Sequence, residues 1–206
     1  MNGPPEDLKT LGIKDNSVDV VVTNEFINLS PDKRSVFSEI FRVLKPGGEL
    51  CFTITLADRR LSAALAEDAS LVRLGIAGAL YAEDFRRMLR DLGCHDYRNY
   101  TKQPLTICNP ETAAKVGLAA FSHRTIRTFK LNLEDICEDF GQVATYKGTM
   151  PGFPHAFPLD DHHLFVTDKP MLVCGNSGAM VDETRFGKHF TVTGDKSVHY
   201  GPFDCS

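Results

Sequence analysis

The sequence lacks an excess of positive charge, a long apolar run and any tryptophan. Its 206 residues carry 23 lysines and arginines against 27 aspartates and glutamates, a net charge of −4, which argues against a basic nucleic-acid surface. No apolar run approaches the roughly 20 residues of a membrane-spanning helix. The opening segment MNGPPEDLK has neither the basic nor the apolar region of a signal peptide. We therefore expect a cytoplasmic protein without membrane or nucleic-acid partners.

The six cysteines lack the close CxxC spacing that is typical of metal sites and redox motifs. They are spread along the chain as Cys51, Cys94, Cys108, Cys137, Cys174 and Cys205. This spread favours reduced, mostly buried thiols over a disulfide framework or a metal centre. A reactive thiol needs a lowered pKa and a cationic neighbour, and neither is visible from the sequence around Cys174 or Cys205. We therefore expect no metal site, and inert thiols at both positions.

No glycine-rich loop precedes the first predicted strand, although the segments after it are typical of a nucleotide-binding α/β sheet. Residues 17–23 (SVDVVVT) are nearly all apolar, as in a central parallel strand. Residues 30–45 have the apolar spacing of an amphipathic helix, with Ser30 as the predicted N-cap. Residues 49–56 (ELCFTITL) form the next predicted strand. Only sixteen residues lie ahead of residue 17, too few for the front half of such a sheet.

The rest of the sequence divides into an α/β part and a β-rich part. The further predicted elements are a helix over residues 57–79, a helix over residues 82–92, an edge strand over residues 96–107, a short helix over residues 110–116 and a strand over residues 120–131. From residue 138 on, short apolar runs alternate with prolines and glycines. We predict an α/β domain over residues 1–132 and a β-rich C-terminal module over residues 133–206.

Several stretches of the chain resemble the arsenite methyltransferase family. They are GIKDNSVDVVVTNEFINLSPDKRSVFSEIFRVLKPGGEL, ADRRLS, GALYAEDFRR, FGQVATYKGTMPGFPHAFPLDDHHLFVTDKP and HFTVTGDKSVHYG. The resemblance covers nearly the whole chain. It implies an N-terminally truncated, divergent member of a family that methylates trivalent arsenic with S-adenosylmethionine (SAM). The implied fold is α/β, with the C-terminal half of a Rossmann-like methyltransferase sheet followed by a small β-rich module.

The resemblance also implies sites that this sequence does not keep. The family holds SAM with a glycine-rich loop and an acid for the ribose, both ahead of the segment that corresponds to residue 17. It holds arsenic with cysteine thiolates, which suit a soft centre. The corresponding positions here are Gly75 and either Ala119 or Arg124, and an aspartate of the family corresponds to Ile54. We therefore predict that the chain uses no cofactor.

Polar residues that follow the first predicted strand are candidates for chemistry, because open α/β sheets bind ligands at the carboxyl ends of their strands. Glu25 could act as a general base if burial raises its pKa, and a solvated turn residue is the alternative. Asn24 and Asn28 share this turn. They could bind substrate or satisfy the backbone of the turn itself.

Three further candidates come from the resemblance. His123 and Arg124 lie on the strand where the family binds arsenic or close to it, and Tyr81 belongs to the GALY run. A histidine can move protons and an arginine can hold a carboxylate, but in an alternating strand only one of the two faces the pocket. The alternative for His123 and Arg124 is a surface pair on an edge strand, and the alternative for Tyr81 is a place in the core. The predicted catalytic residues are Glu25, His123 and Tyr81, and the predicted substrate-binding residues are Asn24, Asn28 and Arg124.

Residues 160–163 (DDHH) have the composition of a metal cluster. Neighbouring residues of a strand point to opposite faces and rarely share one ion. The same string occurs in ordinary members of the family that the chain resembles. We therefore predict a structural role for this segment.

The missing cofactor loop and thiolates favour an enzyme that keeps the family's substrate cavity without SAM. It would catalyse an acid–base rearrangement, isomerisation or sulfur migration on a thiol or disulfide small molecule of specialised metabolism. Two alternatives stay open: an arsenite or thiol methyltransferase that uses SAM, completed if needed by a partner chain, and a non-catalytic relic that pairs with a full-length relative. An exposed sheet edge predicts a homodimer or pairing with a related chain.

Overall fold

The computed structural model describes residues 12–24, 26–66 and 68–205 of the chain. Its α-helices are α1 (Phe26–Leu29), α2 (Lys33–Val43), α3 (Ala63–Ala66), α4 (Ala69–Arg73), α5 (Ala82–Asp91), α6 (Pro110–Val116) and α7 (Gly175–Asp182). Its β-strands are β1 (Val18–Asn24), β2 (Leu44–Ala57), β3 (Leu80–Tyr81), β4 (Tyr97–Leu105), β5 (Phe121–Phe129), β6 (Glu138–Asp139), β7 (Gln142–Tyr146), β8 (Ala156–Pro158), β9 (Leu164–Val166), β10 (Pro170–Val173), β11 (Phe190–Thr193) and β12 (Gly201–Pro202).

The main sheet combines parallel and antiparallel strands in the order β1-β2-β5-β4, and the short β3 pairs with the end of β2. β1 and β2 run parallel, with Val21 opposite Leu50. β5 lies between β2 and β4 and runs antiparallel to both. The four strands predicted for this region correspond to β1, β2, β4 and β5, and the predicted α/β fold class is confirmed.

Helices α2 and α5 pack on the main sheet through aromatic side chains. The ring centroids of Phe37 in α2 and Phe85 in α5 lie 5.4 Å and 6.2 Å from that of Phe52 in β2. All three rings are buried, and burying a phenylalanine stabilises a fold by about 1.5–3 kcal/mol. These rings stand at the periodic apolar positions of their helices, which is why both helices could be predicted from the sequence.

The N-cap of helix α2 lies two residues after the predicted one. Asp32 caps the helix, and its Oδ1 accepts a hydrogen bond from the amide of Ser35 at 3.0 Å. The predicted cap, Ser30, is buried, and its amide donates to the carbonyl of Ile27 at 3.2 Å. Ser30 therefore closes α1, a helix that the sequence analysis took for a turn.

The single helix predicted over residues 57–79 is wrong. Two short helices, α3 and α4, occupy this segment, and Asp68 caps α4 by accepting from the amides of Ser70 and Leu71. Gly75 has a φ of +70°, a conformation that residues other than glycine rarely adopt. The chain turns there after α4 instead of continuing as a helix.

In the described part of the chain after β5 lie three small sheets, the α-helix α7 and a short 3-10 helix (Gly187–His189). β7 lies between β10 and β11, β6 pairs with β12, and β8 pairs with β9. Tyr146, Phe157, Phe165 and Phe190 are among the rings of their shared core. The β-rich character agrees with the sequence pattern, but α7 was not predicted. Its sequence GNSGAMVD contains glycine and serine, which have lower helix propensity than alanine, and burial at nearly every position removes the amphipathic signal.

The boundary predicted at residue 132 stays a prediction. Phe129, at the end of β5, already packs in the core of the C-terminal strands. Across the described ranges, none of the helices combines the length and the apolar character that crossing a bilayer requires.

Candidate functional site

A cleft of about 370 Å³ opens beside helix α1, near the carboxyl ends of β1 and β2. Because β1 and β2 are parallel, these ends meet at the edge of the sheet where ligands bind in this fold class. Asn28 enters the cleft from α1, Thr55 from β2 and His123 from β5. The remaining lining residues are Leu29, Val72, Arg73, Leu74, Gly75 and Leu105.

Asn28 is buried in the wall of this cleft and ties its elements together. Its Nδ2 donates to the carbonyl of Thr55 at 3.2 Å and to the carbonyl of Gly75 at 3.0 Å. Both partners are acceptors, so only the amide nitrogen can face them. Among the described residues, Oδ1 of Asn28 has no hydrogen-bond partner. A buried acceptor without a donor is costly, so this is the wall atom that a ligand N–H or O–H would satisfy.

His123 and Arg124 face different surroundings, as the alternation of a strand requires. His123 lines the cleft, and its Nδ1 lies 3.4 Å from Oγ1 of Thr55 on the neighbouring strand. Nε of Arg124 donates to the hydroxyl of Ser122 at 2.9 Å, and Arg124 is not among the described residues that line the cleft. The structure thus brings His123 together with Asn28, on an internal strand rather than an edge strand.

Asn24 and Tyr81, two of the other three predicted site residues, are not in the lining of this cleft. Glu25 lies outside the described residues. Asn24 is exposed at the end of β1, opposite Thr53 of β2. Tyr81 is half-buried, and the guanidinium of Arg60 lies 5.8 Å from its ring centroid. The roles predicted for these three residues stay predictions.

We expect Asn28→Asp to destabilise the protein by at least about 2 kcal/mol at neutral pH, because a carboxylate would replace the amide that faces two carbonyls. The folded-state pKa of the new carboxyl would be raised, so the loss should grow as the pH rises through that value and shrink on acidification. Urea denaturation at several pH values measures this. Asn24→Asp, the same change at an exposed position, should stay within about 0.5 kcal/mol. Equal losses for the two variants would show that Asn28 does not hold the wall.

A second groove, of about 400 Å³, lies between the main sheet and the C-terminal strands. Glu49 of β2 forms ion pairs there with Arg127 of β5 at 2.7 Å and with Arg185, which follows α7, at 2.7 Å. The guanidinium of Arg127 also lies 4.9 Å from the ring centroid of Phe186. Burial, and then the charge of Glu49, raises the pKa of Cys51, which makes that thiol a poor nucleophile. The ion pairs of this groove therefore connect the main sheet to the C-terminal part of the chain, and Cys51 is not a candidate nucleophile.

The DDHH segment forms a turn around Asp160, whose side chain is fully buried. Its Oδ1 accepts from the amides of His162 at 3.1 Å and His163 at 2.7 Å. The other oxygen lies 3.3 Å from Arg98 of β4 and 2.9 Å from Nδ1 of His163. Burial alone would raise the pKa of Asp160, but the interactions with His163 and the two amides outweigh it and lower the pKa to about 2. A carboxylate engaged in this way has the features of a structural anchor.

Three cysteines that are distant in sequence meet near α7. The Sγ atoms of Cys137, Cys174 and Cys205 all lie within 4.8 Å of one another. Cys174 is fully buried as the N-cap of α7, and Arg98 donates to its sulfur at 3.9 Å. A hydrogen bond from Cys137 lowers the pKa of Cys174, and burial opposes this effect. The hydrogen bonds with Ser177 and the charge of Arg98 add to the lowering. This group could not be recognised from the sequence, because its members share no local motif.

Family models match both parts of the chain. A methyltransferase domain model matches residues 2–93, and the model of the arsenite methyltransferase C-terminal domain matches residues 141–205. The structure of an arsenic(III) S-adenosylmethionine methyltransferase from Chlamydomonas reinhardtii is 48% identical, with a TM-score of 0.93, over 98% of this chain and 68% of that one. The chain belongs to the arsenite methyltransferase family. The family named from the sequence is therefore confirmed.

Two curated relatives extend this comparison. An arsenite methyltransferase from Aquipseudomonas alcaligenes is 47% identical over 98% of this chain and 59% of its own length. The arsenite methyltransferase from Mus musculus is 31% identical over 94% of this chain and 51% of its own length. This family member thus spans about half to three-fifths of the length of the curated relatives that it matches, so its activity is a proposal.

The prediction of a SAM-independent enzyme is wrong. It depended on segments that the sequence does not contain, whereas the 48% identical relative is an arsenic(III) S-adenosylmethionine methyltransferase and the curated relatives are arsenite methyltransferases. The predictions of no cofactor, of isomerisation or sulfur migration, and of specialised metabolism are overturned with it. The relatives favour the alternative of a SAM-dependent arsenite methyltransferase.

Proposed function

We propose that this family member takes part in the SAM-dependent methylation of trivalent arsenic, and that the cleft beside α1 forms one wall of the site. The observation that carries this proposal is the convergence of Asn28, Thr55 and His123 on one cleft. That cleft lies at the strand ends where this fold class binds its ligands. The relatives support the choice of reaction, and the position of the cleft supports the choice of site.

The described residues fit SAM along this wall. SAM carries N–H and O–H donors on its amino group, adenine and ribose, and Oδ1 of Asn28 is a buried acceptor without a donor. Leu29 and Leu105 add apolar surface to the same cleft, which suits the face of an aromatic base. When bound, SAM supplies a methyl group on a positively charged sulfur, the electrophile that the lone pair of trivalent arsenic requires.

Two side chains of the cleft are placed to hold the arsenic substrate. The hydroxyl of Thr55 and the ring of His123 lie 3.4 Å apart and can hydrogen-bond to hydroxyl groups on arsenic. Gly75 stands where the resemblance places an arsenic cysteine of the family, and a Cβ built there meets nothing within 4 Å. That open space accommodates arsenic bound to a small-molecule thiol, which would replace the missing side chain.

Methyl transfer to arsenite tests this proposal. The 206-residue chain is incubated with SAM, arsenite and glutathione, and methylated arsenic is quantified by liquid chromatography with elemental mass spectrometry. We expect His123→Ala to lower the rate at least about tenfold, because small losses of substrate positioning have large effects on rate. Gln103→Ala, at the exposed position opposite His123 on β4, should leave the rate unchanged.

Two results would count against parts of this proposal. If the chain forms no methylated arsenic and titration calorimetry detects no SAM binding, the methyltransferase proposal fails and the non-catalytic alternative is favoured. If methylation occurs at the same rate with His123→Ala, the reaction stands but His123 does not belong to the site.

The partner predicted for the sheet edge stays a prediction. β1 is hydrogen-bonded to β2, and no described strand pairs with its other side. Such an edge is a template for another strand. A second copy of this chain or a related chain is the partner that we expect there.

A further inference from the structure

We propose that Cys137, Cys174 and Cys205 form a three-thiolate site for trivalent arsenic, separate from the cleft beside α1. Their sulfurs lie within 4.8 Å of one another. Sulfurs that share one ion at bond lengths of about 2.3 Å lie about 4 Å apart, so small side-chain rotations complete the site. The choice of arsenic rests on the proposed function, whereas the three-thiol geometry does not.

The fold holds these thiols from three separate elements. β6 pairs with β12, and this places Cys137, just before β6, beside the segment that carries Cys205. Asn176, in the first turn of α7, accepts from the amide of Glu134 and donates to its carbonyl, both at 2.9 Å. These two bonds fix the segment before Cys137 against the helix that Cys174 caps. The site is therefore preorganised by backbone pairing, and not only by its own side chains.

The surroundings of Cys174 stabilise a thiolate. Its sulfur accepts from the amide of Ser177 at 3.4 Å, at a helix N-terminus, which carries positive partial charge. While protonated, the thiol donates to the hydroxyl oxygen of Ser177 at 3.3 Å. Arg98 is only 4% exposed, and its Nε has no partner among the described residues. Cys137 and Cys205 are partly exposed, so arsenite can reach the buried thiolate from their side.

Trivalent arsenic suits this site better than zinc for two reasons. Arsenic(III) forms three bonds and keeps a lone pair, whereas structural zinc almost always takes four ligands, and the described residues supply only three to this group. The second reason is charge. Asp96 and Asp160 already pair with Arg98, at 2.7 Å and 3.3 Å, so a neutral arsenic complex is accommodated where a zinc trithiolate would add a negative charge.

Binding is a ligand exchange that balances without an oxidant or reductant. Arsenous acid loses three As–O bonds and gains three As–S bonds. Three protons, two from the thiols of Cys137 and Cys205 and one that Cys174 has released to solvent on forming its thiolate, combine with the three departing hydroxide groups to give three water molecules. The arsenic remains trivalent, and the bound complex has the same net charge as the thiols and acid that formed it.

X-ray absorption at the arsenic edge tests the site. The reduced 206-residue chain is loaded with one equivalent of arsenite in the absence of SAM. We expect three sulfur neighbours, and in native mass spectrometry the added mass of one arsenic atom less three protons. Changes in the outer shell of a metal site alone weaken binding by about 10–100-fold. Cys137→Ser, Cys174→Ser and Cys205→Ser should therefore each weaken arsenite binding at least about tenfold.

The other three cysteines provide matched controls. Cys51→Ser, Cys94→Ser and Cys108→Ser should keep the three-sulfur spectrum. Serine is itself a favoured N-cap, so Cys174→Ser preserves the cap of α7, and a melting curve like that of the wild type would confirm that the fold is retained. Loss of arsenite binding in that variant would then report on the thiolate.

Three results would overturn the site. They are a wild-type spectrum with fewer than three sulfurs, serine variants that bind arsenite as tightly as the wild type, and a stoichiometric zinc ion that arsenite does not displace. Because SAM is absent from the assay, a failure to methylate arsenic does not affect this result. A chain that methylates arsenic but shows none of the three As–S bonds would overturn this site and leave the proposed function intact.

Discussion

Glu49→Ala is expected to lower the free energy of unfolding by about 3–5 kcal/mol, the usual cost of removing one partner from a buried ion pair. Glu49 is 2% exposed and Arg127 is 7% exposed, so both charges of this pair are largely shielded from water. Arg127 would keep its hydrogen bond to the carbonyl of Leu159 at 2.9 Å but lose its counter-charge. Arg185 would lose its link to β2 as well. Urea denaturation measures the loss.

An exposed ion pair provides the comparison for this variant. Asp91 pairs with Arg34 at 3.4 Å, and both side chains are more than half exposed, so Asp91→Ala should cost no more than about 1 kcal/mol. The double variant Glu49→Leu with Arg127→Met should recover much of the stability, because removing both charges avoids an unpaired one. Similar losses for Glu49→Ala and Asp91→Ala would mean that the buried network contributes no more than a surface pair.

Arg98→Met is expected to cost about 3–5 kcal/mol at neutral pH, because a buried carboxylate, Asp160, and a partly buried one, Asp96, would lose their shared cation. Arg98 pairs with Asp96 at 2.7 Å and with Asp160 at 3.3 Å. Methionine keeps the unbranched apolar stem of the side chain and removes only its charge. Arg98→Lys should recover part of the loss, because a compact ammonium cannot match the two-sided contacts of a guanidinium.

The pH dependence of Arg98→Met has a definite sign. Burial raises the pKa of Asp96 even in the presence of Arg98, and without the guanidinium this pKa rises further. A carboxyl whose folded-state pKa is raised makes the folded state bind more protons, so stability falls as the pH rises from the ordinary value of about 4 through the raised one. Denaturation at about pH 5 and about pH 8 should therefore show the variant less stable at the higher pH.

In the wild type, Asp160 makes stability depend on pH in the opposite direction. Its pKa is lowered to about 2, so its contribution is present above its unfolded value and is lost as the pH falls through about 2. The exposed pair between Arg90 and Asp135, at 3.6 Å, supplies the control variant Arg90→Met. If Arg98→Met loses no more stability than Arg90→Met and shows no dependence on pH, the two carboxylates do not depend on Arg98.

Elements set by nearby residues could be predicted from the sequence. Asn109 accepts from the amide of Thr112 at 2.9 Å and caps α6, with Pro110 as its first residue. This is the local signal that defined the helix. Helix α7 depends instead on burial among distant strands, and its own residues favour a turn as much as a helix. Its absence from the sequence analysis therefore reflects tertiary stabilisation.

The sequence indicated the part of the candidate site that lies at the carboxyl end of a strand. Asn28 follows β1, so the rule for strand ends predicted its place. His123 came from the family resemblance, and the structure places it in the same cleft. Thr55 was missed because a threonine inside a strand has no functional signal of its own. The cysteine group was missed for a related reason, since its members come together only through the pairing of β6 with β12.

The cofactor prediction failed for a different reason. It was drawn from segments that the sequence does not contain. The structure can check the positions of residues that are present, but it cannot check a prediction drawn from absent ones. The residues that are present, from the first strand through the DDHH segment, identified the family correctly. The residues that are present therefore predicted the family correctly, whereas the segments that are absent led to a wrong prediction about the cofactor.

The ion pair between Glu49 and Arg185 joins residues that are 136 positions apart. At translation speeds of about 5–20 residues per second, Arg185 is made roughly 7–27 s after Glu49. During that interval β2 can pair with its neighbours, but its interior carboxylate lacks one of its two native cations. Contacts between such distant residues also slow folding in general. We therefore expect that β1, β2, β4 and β5 can pair during synthesis before Arg185 is available to complete the ion pairs of Glu49.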